Sequence, residues 1–283
     1  MQPAGLMAPF RFFIYSNLFI AACAVLMVGQ SYQLLLHTVP DRYIIAFVFF
    51  STICSYSFHW YLSSDSAPGS SRSEWQRRNK YIHIIFFILG AIGAAFFFLL
   101  LAKHWFWLLL SVVPTFLYTA PKIPTRYFRV LRRIALGKTI FLAIVWMYVT
   151  TILPFAVSDA AWREDVWLFI ISRFFLIYAI CILFDYRDRK DDKAKGIRSL
   201  VTYLSEKGIK NLFIISILIF FISTACLLFY QYSQLIVFLL LIPGIITASL
   251  YNYARKSFSD ILYYFILDGL MALSSLLTLL TWI

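Results

Sequence analysis

Charged residues are scarce in this sequence, at 13% of the 283 residues. A soluble globular domain carries roughly a quarter of its residues as charges, so this class is excluded. Cysteine is scarce too: the 4 cysteines lie in apolar stretches without metal-ligand spacing, which argues against a disulfide scaffold or a zinc site. Hydrophobic residues, by contrast, make up 62% of the chain. The composition therefore predicts an integral membrane protein.

Long apolar runs divide the chain into nine predicted transmembrane helices, because about 20 apolar residues are needed to cross a bilayer. The predicted spans are 12–35, 43–62, 81–102, 105–120, 134–157, 166–184, 211–230, 234–252 and 261–281. A membrane β-barrel would instead show alternating segments of about ten residues. We therefore expect an all-α, polytopic membrane protein with one integral membrane domain over residues 1–283. The longest polar stretches, 63–80 and 185–210, are predicted to be connecting loops.

Basic residues fall on alternate loops of this predicted arrangement. Most of the 25 Lys and Arg residues lie on one side, and the opposite loops carry only Arg42, Lys103 and Arg163. By the positive-inside rule, the N-terminus and the loops 63–80 and 185–210 are cytoplasmic, and the C-terminus lies outside. The net charge of +12 is then explained mainly by the basic residues that set the membrane topology, and it favours contact with anionic membrane lipids. Nucleic acid is not an expected partner.

The stretch FDYRDRKDDKAKGIRSL, residues 184–200, places several acids directly after the sixth apolar run. If the helix continues through it, Asp185, Asp188 and Asp192 fall within about 60° of one face at about 100° per residue. Asp191 points away from the centre of that face. Three carboxylates this close repel one another at neutral pH unless a cation lies between them.

This carboxylate face is typical of a Mg²⁺ site, because Mg²⁺ prefers oxygen ligands and bridges them to substrate phosphates. The interleaved Arg187 and Lys193 would neutralise the remaining phosphate charge. The alternative interpretation is a charged helix end at the membrane surface, whose acids are balanced by its bases. A flanking basic loop needs Lys and Arg, however, and needs no acids in helical register.

The same stretch resembles the second aspartate motif of the UbiA superfamily of intramembrane prenyltransferases, whose usual form is Asp-x-Arg-Asp-x-x-x-Asp-x-x-x-Gly-x-x-Thr-Leu. The matching residues are Asp185, Arg187, Asp188, Asp192, Gly196 and Leu200, and Ser199 stands in place of the common Thr. The stretch 132–146 is similar to the family's fifth helix, which carries a Lys followed by a Trp. Nine helices with a cytoplasmic N-terminus also fit this family.

The resemblance implies Mg²⁺-dependent transfer of an isoprenyl group from a prenyl diphosphate to a lipophilic acceptor, commonly an aromatic or quinone-type ring. The allylic C–O bond ionises and the acceptor attacks the carbocation. Catalysis and metal binding fall to Asp185, Asp188 and Asp192. Diphosphate binding would involve Lys138, Arg187, Lys193 and His59. We expect an integral protein of the bacterial inner (cytoplasmic) membrane.

The chain departs from the family in its first motif, Asn-Asp-x-x-Asp-x-x-x-Asp, at the end of the second helix. Ser55, Tyr56, His59 and Ser63 occupy its positions, and Asp65 is the nearest acid. His59 either contacts a phosphate or ligates a metal, or it is an interfacial residue of an aromatic belt. The loss of this half-site leaves a second hypothesis, a non-catalytic UbiA-like protein that binds a prenyl lipid or a partner enzyme.

Three further ionisable residues fall within predicted spans, where such groups are costly and mark candidate functional sites. Lys138 lies about a turn inside the cytoplasmic surface, where it either reaches the diphosphate or snorkels to the interface. Arg173 lies about 18 Å along the helix from Asp185, too far to touch a phosphate there. We expect Arg173 to pair with Asp268 of the last helix, the alternative being a polar contact to the acceptor.

Overall fold

The structure is a computed structural model that describes residues 4–63, 70–119, 138–194 and 199–281, and all regular secondary structure in these ranges is helical. The α-helices are α1 (Ala4–Tyr15), α2 (Leu18–Ser31), α3 (Arg42–Ser63), α4 (Ser71–Arg78), α5 (Lys80–Leu100), α6 (Trp105–Thr119), α7 (Lys138–Met147), α8 (Leu153–Ala156), α9 (Glu164–Ala194), α10 (Leu200–Tyr203), α11 (Glu206–Ala225), α12 (Gln234–Ala254) and α13 (Asp268–Leu279). Three π-helical segments extend this set: Tyr32–Leu36 follows α2, Tyr148–Ile152 joins α7 to α8, and Leu262–Leu267 precedes α13.

Among the described residues, 8 helices are long and apolar enough to cross a membrane. They correspond to eight of the nine predicted spans, which confirms the all-α, polytopic fold class. The remaining prediction, 105–120, corresponds to α6, which has 15 residues in the described range. At 1.5 Å per residue α6 measures about 22 Å, less than the hydrocarbon core of about 30 Å.

The first predicted span differs from the observed helices, because the chain breaks between α1 and α2. Asn17 adopts a left-handed conformation with φ 73°, which ends α1 and starts α2 in a new direction. Asn tolerates this conformation better than most residues with a side chain. A membrane-spanning helix is confirmed for Leu18–Leu36, but the prediction that one helix starts at residue 12 was wrong, since hydropathy does not register a single left-handed residue inside an apolar run.

Helix α9 is the central element of the fold and continues well beyond its predicted end at residue 184. Its 31 residues correspond to about 46 Å, so it exceeds the hydrocarbon core by several turns. The apolar part is buried against α7, α11, α12 and α13. The acidic stretch forms the last turns of this same helix, as the prediction of a single carboxylate face requires.

The two polar stretches predicted as loops contain short helices in the described ranges. Within 63–80, Ser70 caps α4 by accepting a hydrogen bond from the Ser73 N–H at 3.1 Å. Within 185–210, α9 continues to Ala194, and a capping box of Ser199 and Thr202 starts α10. Helix α4 is important for the site because it packs against α1 and α5 at the same end of the bundle as the acids.

Helices α3 and α5 pack closely through glycine. A Cβ atom at Gly90 would lie 2.7 Å from the backbone nitrogen of Cys54, so only glycine fits this approach. Small residues that let backbones come together are a common device of helix packing in membranes. The contact fixes α3, whose C-terminal turns line the site.

Candidate functional site

A cavity of about 120 Å³ lies where the C-terminal turns of α3 and α9 meet α2, α7 and the last helix. A single water needs roughly 10–15 Å³ by the same measure, so there is room for a polar head group with its waters. Part of the cavity lining is apolar, with Ile20, Leu142, Ile180 and Met271. The lining also includes three carboxylates, two guanidinium groups and one imidazole, from Asp185, Asp188, Asp268, Arg72, Arg187 and His59.

The aspartates of α9 are oriented as the helical spacing predicts. Asp185 and Asp192 are buried, at 4% and 6% exposure, whereas Asp191 is exposed. Asp185 and Asp188 line the cavity, and Asp192 lies further along the helix, beyond the cavity-lining residues. The carboxylate face is therefore turned into the bundle, and its cavity portion comprises two carboxylates one turn apart.

Neighbouring groups hold these two carboxylates in place. The Thr139 hydroxyl, on the second residue of α7, donates a short hydrogen bond to Asp185. The guanidinium of Arg187 donates from Nε to Asp188 at 2.7 Å and from a terminal nitrogen at 3.3 Å. Such two-point contacts between guanidinium and carboxylate fix geometry as well as charge. Asp188 is thus half-buried beside a cation, while Asp185 is oriented by a neutral donor.

Arg187 itself is packed among aromatic rings. Its Cζ atom lies 4.5 Å from the ring centre of Tyr263, 4.9 Å from that of Tyr264 and 5.2 Å from that of Phe184. The faces of aromatic rings attract cations, and the attraction grows when water is excluded. Arg187 was predicted as a phosphate-binding residue, and the structure brings it into the cavity together with Asp185 and Asp188.

Arg72 of α4 also enters this cavity. From the sequence it was only one of the basic loop residues that indicate the membrane topology. It is 4% exposed, and its backbone N–H donates to Asp260 at 2.8 Å. The guanidinium lies 4.2 Å from the ring centre of Trp60 and 4.0 Å from that of Tyr264. Burial lowers the pKa of Arg72, and the nearby acids oppose this effect. No signal in the sequence distinguishes it from the exposed Arg77 of the same helix.

The altered first motif, on the C-terminal turns of α3, contributes to the lining of the cavity. His59 is buried and packs edge-on to Trp60, at a distance of 6.0 Å between ring centres. The Tyr56 hydroxyl accepts a hydrogen bond from Trp146 Nε1 at 2.9 Å. Both His59 and Tyr56 line the cavity. Where a related sequence would carry carboxylates, this chain therefore presents an imidazole and a phenol.

Three other candidate residues are not placed by the described part of the structure. Lys138 begins α7, but its side chain lies outside the described residues, as does that of Ser63. Asp65 lies wholly outside them. Lys193, also expected to bind phosphate, is described and is exposed near the end of α9.

The expected ion pair between Arg173 and Asp268 was wrong. Arg173 is 6% exposed, and its acceptors among the described residues are neutral oxygens of α2 and of the π-helical segment Tyr148–Ile152. These acceptors are Met27 O (3.0 Å), Ser31 Oγ (3.0 Å), Thr150 O (2.8 Å), Thr151 Oγ1 (3.0 Å) and Gln30 Oε1 (2.6 Å). Backbone and side-chain oxygens supplied by neighbouring helices replace the carboxylate that we expected from the sequence.

Asp268 lies instead on the cavity wall, in the first turn of α13. It interacts electrostatically with Arg72 and Arg187, but within the described ranges its carboxylate forms no hydrogen bond or close ion pair with them. The apolar side chains of Phe19 and Met271 line the same cavity. Asp268 therefore offers an acceptor group in the cavity.

The donor chemistry of the cavity fits a hard cation such as Mg²⁺. Asp185 and Asp188 offer carboxylate oxygens, and Mg²⁺ commonly uses one or two carboxylates together with water and substrate phosphate. Within the described residues there is no group of three or more His, Cys, Asp or Glu side chains arranged to hold a metal. The site therefore fits a cation shared with a phosphorylated ligand better than a closed, all-protein cage.

Comparison with known proteins agrees with this chemistry. Residues 77–276, more than two thirds of the chain, match the model of the UbiA prenyltransferase family. The matched range contains Asp185, Arg187, Asp188 and Asp268, while His59 and Arg72 precede it. No curated protein and no solved structure matches the chain.

Proposed function

The chain belongs to the UbiA prenyltransferase family, which in general implies intramembrane prenyl transfer, and we propose a specific reaction for it. The protein transfers an isoprenyl group from a prenyl diphosphate to a lipophilic acceptor of the aromatic or quinone type, and the reaction depends on Mg²⁺. The asymmetry of basic loops favours a cavity at the cytoplasmic face. In a bacterial cell, this would be the face of the inner membrane.

The observation that carries the proposal is the joining of two carboxylates and a guanidinium in one partly apolar cavity. Asp185, Asp188 and Arg187 all line it, and Ile180 and Leu142 are among its apolar lining residues. A prenyl diphosphate likewise combines a charged head with an apolar tail. The charged lining residues thus suit the diphosphate, and the apolar lining residues suit the isoprenyl chain.

Asp185 and Asp188 are the residues that would hold Mg²⁺ in this site. When bound, Mg²⁺ supplies positive charge that stabilises the leaving diphosphate. Thr139 orients Asp185 through its hydrogen bond, and Arg187 holds Asp188 while it offers its own charge to the phosphates. The protein therefore contributes preorganised charge, which is often the main source of enzymatic rate enhancement.

The transfer step breaks the allylic C–O bond, and the electron pair leaves with the diphosphate. The acceptor then supplies the electron pair for the new bond and loses a proton. The rings of Tyr56, Trp60, Trp146 and Tyr264 border the cavity, where their faces would attract the allylic cation and exclude water. Asp268 would hydrogen-bond a hydroxyl or N–H group of the acceptor and orient it towards this cation.

The test is diphosphate release by the purified protein in lipid nanodiscs, with geranyl, farnesyl and geranylgeranyl diphosphates and a lipid-and-quinone extract as acceptor. We expect release to require Mg²⁺ and to fall by at least about 100-fold in Asp185→Asn and in Asp188→Asn. Asp191→Asn is the matched control, because Asp191 is exposed on the same helix. It should retain the wild-type rate.

The same experiment decides between catalysis and the second hypothesis, a non-catalytic protein that binds a prenyl lipid or partner enzyme. The observation favouring that hypothesis is the replacement of the first motif by Tyr56 and His59. Binding of prenyl diphosphates without release, over the whole panel, would support it and contradict the proposed reaction. Equal rates for the wild type and both cavity variants would remove the aspartates from the mechanism.

A further inference from the structure

One buried arginine and one partly buried arginine face the same aromatic ring in the cavity. The Cζ atom of Arg72 lies 4.0 Å from the ring centre of Tyr264, and that of Arg187 lies 4.9 Å from the same centre. The two guanidinium groups are therefore within about 9 Å of each other in a site where low polarity strengthens their repulsion. Such an arrangement needs negative charge nearby to be stable.

The two cations differ in how the protein balances them. Arg187 has a carboxylate partner, since Asp188 accepts two of its hydrogen bonds. The guanidinium of Arg72 donates to the amide oxygen of Asn17 at 3.1 Å, which is a neutral acceptor. Asp260 accepts from the backbone N–H of Arg72 rather than from its side chain. Arg72 thus carries a buried charge without a bound carboxylate in the described part of the chain.

One donor of this guanidinium is left over. The Nε atom of Arg72 is buried and has no hydrogen-bond partner among the described residues. An unsatisfied buried donor costs about 1–3 kcal/mol and more when it is charged, so folded proteins retain few of them. Because Arg72 also lines the cavity, a ligand oxygen placed there would satisfy both the donor and the charge.

The protein holds Arg72 in this position through a rigid support. Asn17, whose left-handed conformation breaks α1 from α2, turns its amide oxygen to the guanidinium. Its amide nitrogen donates to Ser57 at 3.3 Å and lies 3.5 Å from His83 Nδ1. The ring of Trp60 covers the guanidinium at 4.2 Å. A strained backbone and a fully buried polar network are features of sites that need a fixed geometry.

We propose that Arg72 is a built-in cation for the phosphate end of the ligand. It binds the diphosphate from α4, next to the positions on α3 where the described residues Tyr56 and His59 stand in place of the motif's carboxylates. The inference rests on the proposed function and deepens it. It implies that the diphosphate end binds partly without metal, through Arg72 and Arg187, and that Mg²⁺ is needed mainly for turnover.

A purely structural role is the main alternative, in which Arg72 only anchors α4 by packing on Trp60 and Tyr264 and by bonding to Asn17. This role predicts that any metal-free binding of an anion, which Arg187 alone would support, is the same in the wild type and in Arg72→Met. The proposed role predicts that inorganic pyrophosphate and a non-reactive prenyl thiodiphosphate bind the wild type in the presence of EDTA and bind Arg72→Met more weakly. Arg72→Lys, which keeps the buried charge, is the second variant if Arg72→Met does not fold.

The experiment is isothermal titration of the full-length protein in nanodiscs with both probes in EDTA, together with the shift of the thermal midpoint. We expect the wild type to bind, and Arg72→Met to lose about 10- to 100-fold in affinity, as the loss of a charged hydrogen-bond donor implies. Arg72→Lys should have an intermediate affinity, because it keeps the charge and loses the planar set of donors of the guanidinium. Arg77→Met, on the exposed side of α4, is the matched control and should bind like the wild type.

Wild-type protein that binds neither probe in EDTA would overturn the inference, and so would Arg72→Met with unchanged affinity. Failure of the proposed reaction has a different signature. Metal-free binding that is weakened in Arg72→Met, without turnover of any substrate, would contradict the enzymatic proposal and keep the role of Arg72. Mg²⁺-dependent turnover without any metal-free binding would keep the reaction and remove Arg72 from ligand binding.

Discussion

Replacing Arg173 by methionine tests how a membrane protein stabilises a buried charge whose partners, among the described residues, are neutral oxygens. The side chain donates to five oxygens, but its two terminal nitrogens divide unequally among them: one serves four acceptors and the other serves Gln30. Since one nitrogen carries two hydrogens, these contacts amount to about three full hydrogen bonds. The substitution Arg173→Met would break all of them while keeping a long apolar side chain.

The magnitude follows from the environment. Polar contacts between membrane helices are worth about 0.6 kcal/mol on average and up to about 1.7 kcal/mol. Three of them give a loss of about 2 to 5 kcal/mol in the free energy of unfolding. Removing the buried charge also removes its desolvation cost, which acts in the opposite direction. We therefore expect Arg173→Met to destabilise the protein by about 2 kcal/mol.

The assay is unfolding in mixed micelles, with a double-mutant cycle that adds Asp268→Asn. Because the acceptors of Arg173 in the described part of the chain are neutral oxygens, the coupling energy between Arg173 and Asp268 should be close to zero, as it is for sites without shared partners. Destabilisation below about 0.5 kcal/mol would refute the hydrogen-bond account. A coupling energy above about 1 kcal/mol would show that the two residues pair after all.

Two further substitutions test the site and the packing that supports it. Thr139→Val removes the donor to Asp185, and it should raise the Mg²⁺ concentration for half-maximal diphosphate release by about 10-fold or more, as for other residues that orient metal ligands. A metal titration with an unchanged midpoint would contradict this. Gly90→Ala would push α3 away at Cys54 and should lower the free energy of unfolding in micelles by about 1–3 kcal/mol. Gly29→Ala is the control and should not lower it, because nothing lies within 4 Å of the added Cβ. Equal stabilities of the two alanine variants would show that the close approach is unimportant.

The acidic face of α9 could be predicted from sequence because it depends on one local property, the helical period. Once the helix continues past residue 184, the spacing alone orients Asp185 and Asp192 inward and Asp191 outward, as the structure has them. Hydropathy likewise depends on local composition, and it identified the eight spans that the described helices confirm.

Contacts between distant segments could not be predicted in this way. Arg173 and Asp268 both lie inside predicted spans, and pairing them would have resolved two unfavourable burials at once. Hydropathy assigns depth, however, and not which helices adjoin, so it could not foresee the oxygens of the π-helical segment that satisfy Arg173. The position of Arg72 in the cavity was missed for a similar reason, because it depends on the packing of α4 near Tyr264, far away in the sequence.

The break at Asn17 shows the same limit at the scale of one residue. The run 12–35 is apolar enough to read as one helix, yet a left-handed residue divides it and turns a side-chain amide towards Arg72. The composition of the run does not decide whether the helix breaks at Asn17. Asn is common at helix ends, but it is also tolerated within membrane spans. Two of the positions where local patterns fail, Asn17 and Arg72, lie at or next to the cavity, which is where strain and buried polar groups are expected.

One measurement bears most directly on the role of the cavity: the simultaneous appearance of free diphosphate and of a prenylated lipid product in nanodiscs that hold the protein, Mg²⁺ and a prenyl diphosphate. We predict equal amounts of both products from the wild type and from Asp191→Asn, and neither from Asp185→Asn. Equal product from Asp185→Asn and the wild type would contradict the assignment of the reaction to this cavity.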